Sequence, residues 1–375
     1  MLQLNKISCF SPAAALKGTA FFFLIVLCFQ AFSSYSQGTL KAPFPLGRQQ
    51  KLTSLVRSHG GDRCLPPLLP EIPKDAKLLR DACKHVSFYP QTPVRIGRVT
   101  AHFGSIQEHY QKALHTHVLH CMIHNTRLDV MCSPIVDSLW NKPAFILSLL
   151  LDEMMKPADE RLEWLFWVDR DTLILDQCRP VSSFLPFARL PNKTNMEDDD
   201  DSLDSTDDEG EPNKRNEDEI DKDTHLLVTN DWNGLNNGVF LVRVNQWAVN
   251  LFSDINAFRY YRPNVSLPFT EQSAMEFIMK EPKFERNVQV VPQQWFNAYP
   301  KASPAEFEER EDEKGLKEYH ARRGDFLLHF AGRGGRDELI NSWTDMLSRK
   351  KGLWLPEEVQ RNATRDINNF WSRFG

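Results

Sequence analysis

The sequence predicts an α/β fold with a mostly parallel central sheet and flanking helices. Three observations carry this. Short apolar runs alternate along the chain with segments of helical spacing, as strand–helix units do. The run Trp164-Leu-Phe-Trp-Val168 is apolar at every position, so both its faces are expected to be covered, as in a parallel sheet. It leads straight into two carboxylates, Asp169 and Asp171, and ligands of such sheets bind beyond the carboxyl ends of strands.

Taken in order, the chain begins with Lys6 and Lys17 ahead of the apolar stretch Ala20–Phe32, and no acidic residue occurs before Asp62. Residues 1–34 read as a signal anchor or a signal peptide, which sends the rest of the chain into the secretory pathway. Residues 35–92 are rich in Pro, Gly, Ser and basic residues and include Leu65-Pro-Pro-Leu-Leu-Pro70, which cannot be helix interior. They read as a stem, partly ordered near Cys64 and Cys83. Sequons at Asn192, Asn264 and Asn362 agree with a secretory route. Residues 93–375 are the expected folded body.

Within that body, Arg95–Gly104 reads as a first strand and Glu108–Asn125 as a helix carrying Tyr110, Ala113, Leu114, His117, Cys121 and Met122 at helical spacing. The five histidines from His109 to His124 read as polar-face and surface residues, since no acidic or cysteine partner recurs at ligand spacing. Leu128–Met131 is a second strand, and Pro143–Met155 a helix with Pro in its first turn. After the central strand, Asp169 and Asp171 stand two residues apart. Side chains at i and i+2 of an extended segment point the same way, so the pair can converge on one divalent cation; the alternative is a plain turn after a strand.

Residues 195–223 are acidic and of low complexity, and cannot pack. Residues 196–224 hold 15 Asp/Glu against 3 Lys/Arg, a local charge of −12, which leaves the rest of the chain at +7 against −5 for the whole. A mildly basic body suits an anionic ligand but lacks the strong basic patch that nucleic acid requires. Structure resumes with a strand at His225–Asp231, a Gly/Asn-rich loop at Trp232–Gly238 and a strand at Val239–Arg243. Helices are expected at Trp247–Phe258 and Glu271–Met279, the second placing Glu271 and Gln272 where they can face a cleft. Val288–Val291 and Gly324–Gly332 are further strands, the last leading to Arg333 and Arg336. His329, in an apolar strand, reads by itself as a core histidine. Seven scattered cysteines with no C-x-x-C pair give no support to structural zinc and leave room for one or two disulfides.

Five ordered segments then carry a resemblance: Val168-Asp-Arg-Asp-Thr, Asn230-Asp-Trp-Asn-Gly-Leu-Asn-Asn-Gly-Val-Phe, Glu271-Gln-Ser-Ala, Pro292-Gln-Gln-Trp-Phe-Asn-Ala-Tyr and His329-Phe-Ala-Gly. Over roughly Ile96 to Trp343 the chain resembles glycosyltransferase family 34, which includes fungal galactosyl- and mannosyltransferases and plant xyloglucan xylosyltransferases. The resemblance implies a GT-A type nucleotide-sugar-binding fold and a UDP- or GDP-hexose donor. It also implies Mn²⁺, retention of configuration, a glycan or glycoprotein acceptor, and a single-pass type II Golgi membrane protein with a luminal catalytic domain, in some cases within a glycosyltransferase complex. Residue by residue, it implies that Asp169 contacts the ribose or the metal and that Asp171 and His329 ligate Mn²⁺, against the core reading of His329. Asn236, Asn237 and Gly238 would lie beside the sugar, and Glu271 and Gln272 at the reacting face. Arg333 or Arg336 would meet the leaving diphosphate. Arg170, at the centre of D-x-D, departs from the small residue more common there, and the acidic insertion is a second departure.

Two rival functions are to be separated from this. A haloacid-dehalogenase-type phosphatase also starts from D-x-D at a strand end, but its motif wants Thr or Val where this chain has Leu173. A degenerate family member would bind nucleotide sugar or scaffold a complex without transferring.

Overall fold

A computed structural model describes residues 55–84, 94–186, 224–354 and 356–374, all within the compact unit Lys51–Gly375. The N-terminal targeting segment and the acidic insertion lie outside the described residues. Among the described residues no helix is long and apolar enough to cross a membrane.

The strands are β1 Val56–His59, β2 Ile96–Ala101, β3 Arg127–Met131, β4 Trp164–Val168, β5 Thr172–Ile174, β6 Leu226–Asp231, β7 Gly234–Arg243, β8 Val288–Val290 and β9 Leu327–His329. The helices are α1 Glu71–Cys83, α2 Glu108–His124, α3 Asn141–Met154, α4 Gln246–Tyr261, α5 Glu271–Met279, α6 Pro282–Glu285, α7 Pro304–Glu309, α8 Arg336–Lys350 and α9 Ala363–Trp371. Among the described residues, seven strands form the main sheet in the order β1-β3-β2-β4-β7-β6-β8. Of these only β7 runs against the others, pairing antiparallel with β4 and β6. The mostly parallel α/β class expected from the sequence is what the chain forms.

The unbroken apolar run of β4 has its reason here. Successive side chains alternate between faces. Leu165 and Trp167 join α3 and α4 through Phe145, Leu149, Leu251 and Phe252. Trp164, Phe166 and Val168 face Phe184, Trp295, Phe296 and Phe326 on the other side. With both faces dry, no position of the strand can be polar.

Four expectations are revised. Residues 55–84, read as stem, include β1, parallel to β3 at the sheet edge, and α1, which packs near α2. Two disulfides, Cys64–Cys132 and Cys83–Cys178, tie this stretch to the body, a constraint that periodicity cannot reveal. Asn236, Asn237 and Gly238, expected in a loop, lie inside β7, because the β6–β7 turn is only Trp232-Asn233. The last strand is the short β9, which pairs with β5 in a separate two-stranded sheet.

The histidines of α2 are the fourth. His117 and His120 are buried rather than on the surface. Their Nδ1 atoms lie 3.1 and 2.9 Å from the guanidinium of buried Arg98, and their Nε2 atoms reach Thr172 and the Arg179 carbonyl. Burial first, and then neighbouring positive charge including Arg98, push both far below the ordinary histidine range. Neutral rings accept from Arg98 on one side and donate on the other.

Candidate metal and transfer site

β4 ends where Asp169 N donates to Gly238 O, 2.8 Å. The chain turns through Asp169-Arg170-Asp171, with Thr172 Oγ1 donating to Asp169 O at 2.7 Å. The carboxylates therefore lie in a turn rather than in an extended strand. β5 then begins, and its register with β9 sets His329 opposite Thr172. Phe330 N donates to Asp171 O at 3.0 Å, closing the two segments together. The result is that one ligand atom from each of Asp169, Asp171 and His329 lies within 4.8 Å of the others.

His329 is 3% exposed, as a core histidine would be, yet its ring faces Asp171. Nδ1 lies 2.7 Å from Asn297 Oδ1, while Asn297 Nδ2 donates to Thr229 Oγ1 and Asn236 Oδ1. The amide oxygen thus accepts a hydrogen bond from Nδ1–H, which orients the ring and turns Nε2 toward Asp171 Oδ1, 3.5 Å away. An imidazole nitrogen and carboxylate oxygens gathered this closely can hold a divalent cation between them. The donor set of two carboxylates and one imidazole fits a borderline divalent ion such as Mn²⁺. Gly238 supports the same fit: a Cβ there would meet His329 Cε1 at 2.3 Å, so only glycine lets the ring sit against β7.

Asp171 has a second partner, Arg336 Nη1 at 3.0 Å. Burial would raise its pKa, but His329 and Arg336 more than offset this and hold it down to about 2. Arg336 also donates to the Arg333 carbonyl, and Arg333 to the carbonyl of Pro300. Of the two expected arginines, it is Arg336 that touches the carboxylate cluster. Arg170 places its guanidinium over the Tyr110 ring, 4.2 Å from the centroid, so it is engaged with α2.

On the other side, Asp169 Oδ1 accepts from Trp167 Nε1 at 2.8 Å and lies 3.2 Å from Lys142 Nζ. Lys142 also donates to Asn237 Oδ1 at 2.9 Å and stands 3.4 Å from Glu271 Oε1. Glu271 is 3% exposed and its Oε2 has no hydrogen-bond partner. Burial raises its pKa, the nearby Asp169 adds to this, and Lys142 opposes it. Thr270, just before it, takes φ +52°, a conformation that β-branched residues rarely adopt and that marks strain at a site. Gln272 Oε1 accepts from Asn237 N at 3.1 Å and so positions β7.

Asp169, Asp171, His329, Gly238, Asn236 (through Asn297), Asn237, Glu271 and Gln272 are thus brought into one neighbourhood. Sequence reasoning missed Lys142 and Asn297. Lys142 stands before Pro143 at a helix start, where a lysine reads as solvent-facing. Asn297 sits within the segment Pro292–Tyr299, and only its partner His329 gives it a role.

A family model described as the galactosyl transferase GMA12/MNN10 family matches residues 105–350. An uncharacterized alpha-1,2-galactosyltransferase of Schizosaccharomyces pombe is 28% identical over 255 residues, covering 65% of this chain and 68% of its own length. Another S. pombe protein, named alpha-1,2-galactosyltransferase, is 26% identical over 215 residues, 55% of this chain and 52% of its own length. The match thus spans roughly half to two thirds of these relatives. Among solved structures, a glycosyltransferase involved in glycosylation of the major capsid of PBCV-1 is 15% identical, with TM-score 0.44, over 66% of this chain and 99% of that one. GlyE of Streptococcus pneumoniae TIGR4 is 10% identical with TM-score 0.33, over 75% and 64%.

Proposed function

Since this chain belongs to the galactosyl transferase GMA12/MNN10 family, glycosyltransferase family 34, we propose that it is a retaining, metal-dependent hexosyltransferase. It moves galactose or mannose from a UDP- or GDP-sugar to a glycan or glycoprotein acceptor, on a GT-A type fold. The observation that carries this is the convergence of Asp169, Asp171 and His329 beside a buried, half-unpartnered Glu271.

Glycosyl transfer builds positive charge at the anomeric carbon and negative charge on the departing diphosphate. Asp169, Asp171 and His329 would hold Mn²⁺, which when bound acts as a Lewis acid toward the diphosphate, worth several kcal/mol. Arg336, beside Asp171, adds positive charge at that end of the site. Glu271 faces the opposite charge: its carboxylate stabilises the oxocarbenium-like centre or serves as transient nucleophile. Lys142 favours its ionised form in a dry setting. Gln272, Asn236, Asn237 and Gly238 shape the wall beside the sugar.

The two disulfides support a secretory compartment. With the N-terminal apolar segment, they favour a type II Golgi membrane protein with its catalytic domain luminal. The degenerate-member reading is disfavoured by the ligand set, in which no position is lost.

The test is a panel of UDP- and GDP-sugars offered to the full-length chain with and without Mn²⁺, with product configuration read by NMR. Metal-dependent transfer with retention is expected, and Glu271→Gln should lower it at least about a hundredfold. No hydrolysis or transfer from any donor would leave a binding or scaffolding role instead.

A further inference from the structure

Trp232 is 66% exposed at the tip of the β6–β7 hairpin. Nothing in the turn asks for an indole. Tight turns favour Gly, Asn and Asp, and here Gly234 supplies the positive φ, +103°. Trp232 instead stands against two other rings: Tyr299 at 5.3 Å, nearly perpendicular, and Tyr319 at 5.7 Å. Tyr299 continues the line to the His329 ring at 5.9 Å. Its hydroxyl accepts from Asn236 Nδ2 at 2.6 Å and donates to Asp231 Oδ2 at 2.7 Å. An exposed indole is therefore joined, through one buried tyrosine, to the imidazole of the carboxylate cluster.

We propose that Trp232, with Tyr319 beside it and Asp231 at its base, is a stacking subsite for a pyranose ring of the glycan acceptor. This rests on the transferase reading and names the acceptor side of that site. One face of a pyranose is lined by C–H groups and is apolar, while its rim carries hydroxyls. Such a ring stacks on an aromatic face and needs hydrogen-bond acceptors at the edge. The Asp231 carboxylate offers about four lone-pair directions. It uses them for Asn233 N on Oδ1 and for Asn236 Nδ2 and Tyr299 on Oδ2, which leaves room for one sugar hydroxyl.

The two ends of the site differ in their charged groups. Arg336 and Lys142 attend Asp171 and Asp169, where a diphosphate is to be placed. Asp231 attends the Trp232 end and Lys317 Nζ stands over the Tyr319 ring at 5.8 Å, so that end carries both signs of charge and offers hydrogen-bonding groups to a neutral polyol. A nucleobase on Trp232 is the competing occupant. A protein partner is less suited, because a lone indole over polar turn residues is far smaller than a standard interface.

The experiment uses the full-length chain and its W232A and W232F variants. Binding of methyl α-galactoside, methyl α-mannoside and their disaccharides is read by saturation-transfer NMR, and binding of UDP and GDP by calorimetry. Acceptor affinity should fall about tenfold in W232A and within about threefold in W232F, while nucleotide affinity stays within about twofold. Equal sugar binding by W232A and wild type would overturn the proposal. So would a parallel loss of UDP or GDP, which would assign the indole to the base, and so would failure of wild type to bind any of the sugars. The sugar readout does not depend on turnover. Should no nucleotide sugar be consumed, Trp232-dependent sugar binding would still sustain this subsite while the transferase reading fell.

Discussion

Asn297 Oδ1 stands 2.7 Å from His329 Nδ1, and the far nitrogen of that ring looks at Asp171 Oδ1 across 3.5 Å. One amide thereby decides which imidazole nitrogen faces the carboxylate. Asn297 is fully buried and its own amide nitrogen is held by Thr229 and Asn236, so it has no freedom to flip.

Asn297→Ala should weaken Mn²⁺ binding by about ten- to a hundredfold, the usual range for a partner that orients a metal ligand. Mn²⁺ titration followed by EPR checks it. Because the same substitution opens a buried cavity, Asn297→Asp serves as the second variant: an acceptor remains for Nδ1, and affinity should lie closer to wild type.

Lys142 is the cation shared by Asp169 and Glu271. Its pKa is raised: burial alone would lower it, and the two carboxylates more than reverse that. Lys142→Met should cost about 3 kcal/mol of stability, the low end for breaking a buried pair. It should also raise the Glu271 pKa further, because the opposing charge is gone. If Glu271 acts as the carboxylate, the acid limb of the transfer rate then moves to higher pH. A pH–rate profile of Lys142→Met matching wild type would contradict the assignment, and Lys142→Arg should restore part of the shift.

The class of fold and the gathering of Asp169, Asp171 and His329 were legible in the sequence for different reasons. β4 announces itself because both its faces are dry, and the Asp169–Asp171 spacing survives whether the segment is strand or turn. His329 was legible only through the resemblance, since an imidazole in an apolar strand has no local sign of its register with β5. Asn236–Gly238 look like a loop because Asn and Gly are turn formers, yet here they serve a strand that must pass close to His329. The α2 histidines look like a polar face because their partner, Arg98, lies on another element. Residues 55–84 look like stem because what binds them to the body is a four-residue edge strand, the packing of α1 near α2 and two disulfides whose partners lie 68 and 95 residues away.

His102 gives a pH test of the fold. Burial, and then the charge of Arg170, lower its pKa from 6.5 to about 3. Above pH 6.5 the ring is neutral in both states and costs nothing. As pH falls from about 6.5 toward about 3, the unfolded chain takes up a proton that the folded chain does not. Stability then drops by about 1.4 kcal/mol per pH unit for this group. His117 and His120 act in the same direction. His102→Asn should therefore take up about one proton fewer on unfolding at about pH 5, read from urea melts across roughly pH 4–7. An unchanged slope would mean that His102 is protonated in the fold.

The central claim is that Asp169, Asp171 and His329 hold one divalent cation against a nucleotide diphosphate. The most direct measurement is Mn²⁺ binding to the full-length chain in the presence of UDP or GDP, in wild type and in His329→Ala. One tightly bound Mn²⁺ per chain in wild type, lost together with donor turnover in His329→Ala, is the predicted result; turnover that survives both EDTA and His329→Ala would contradict it.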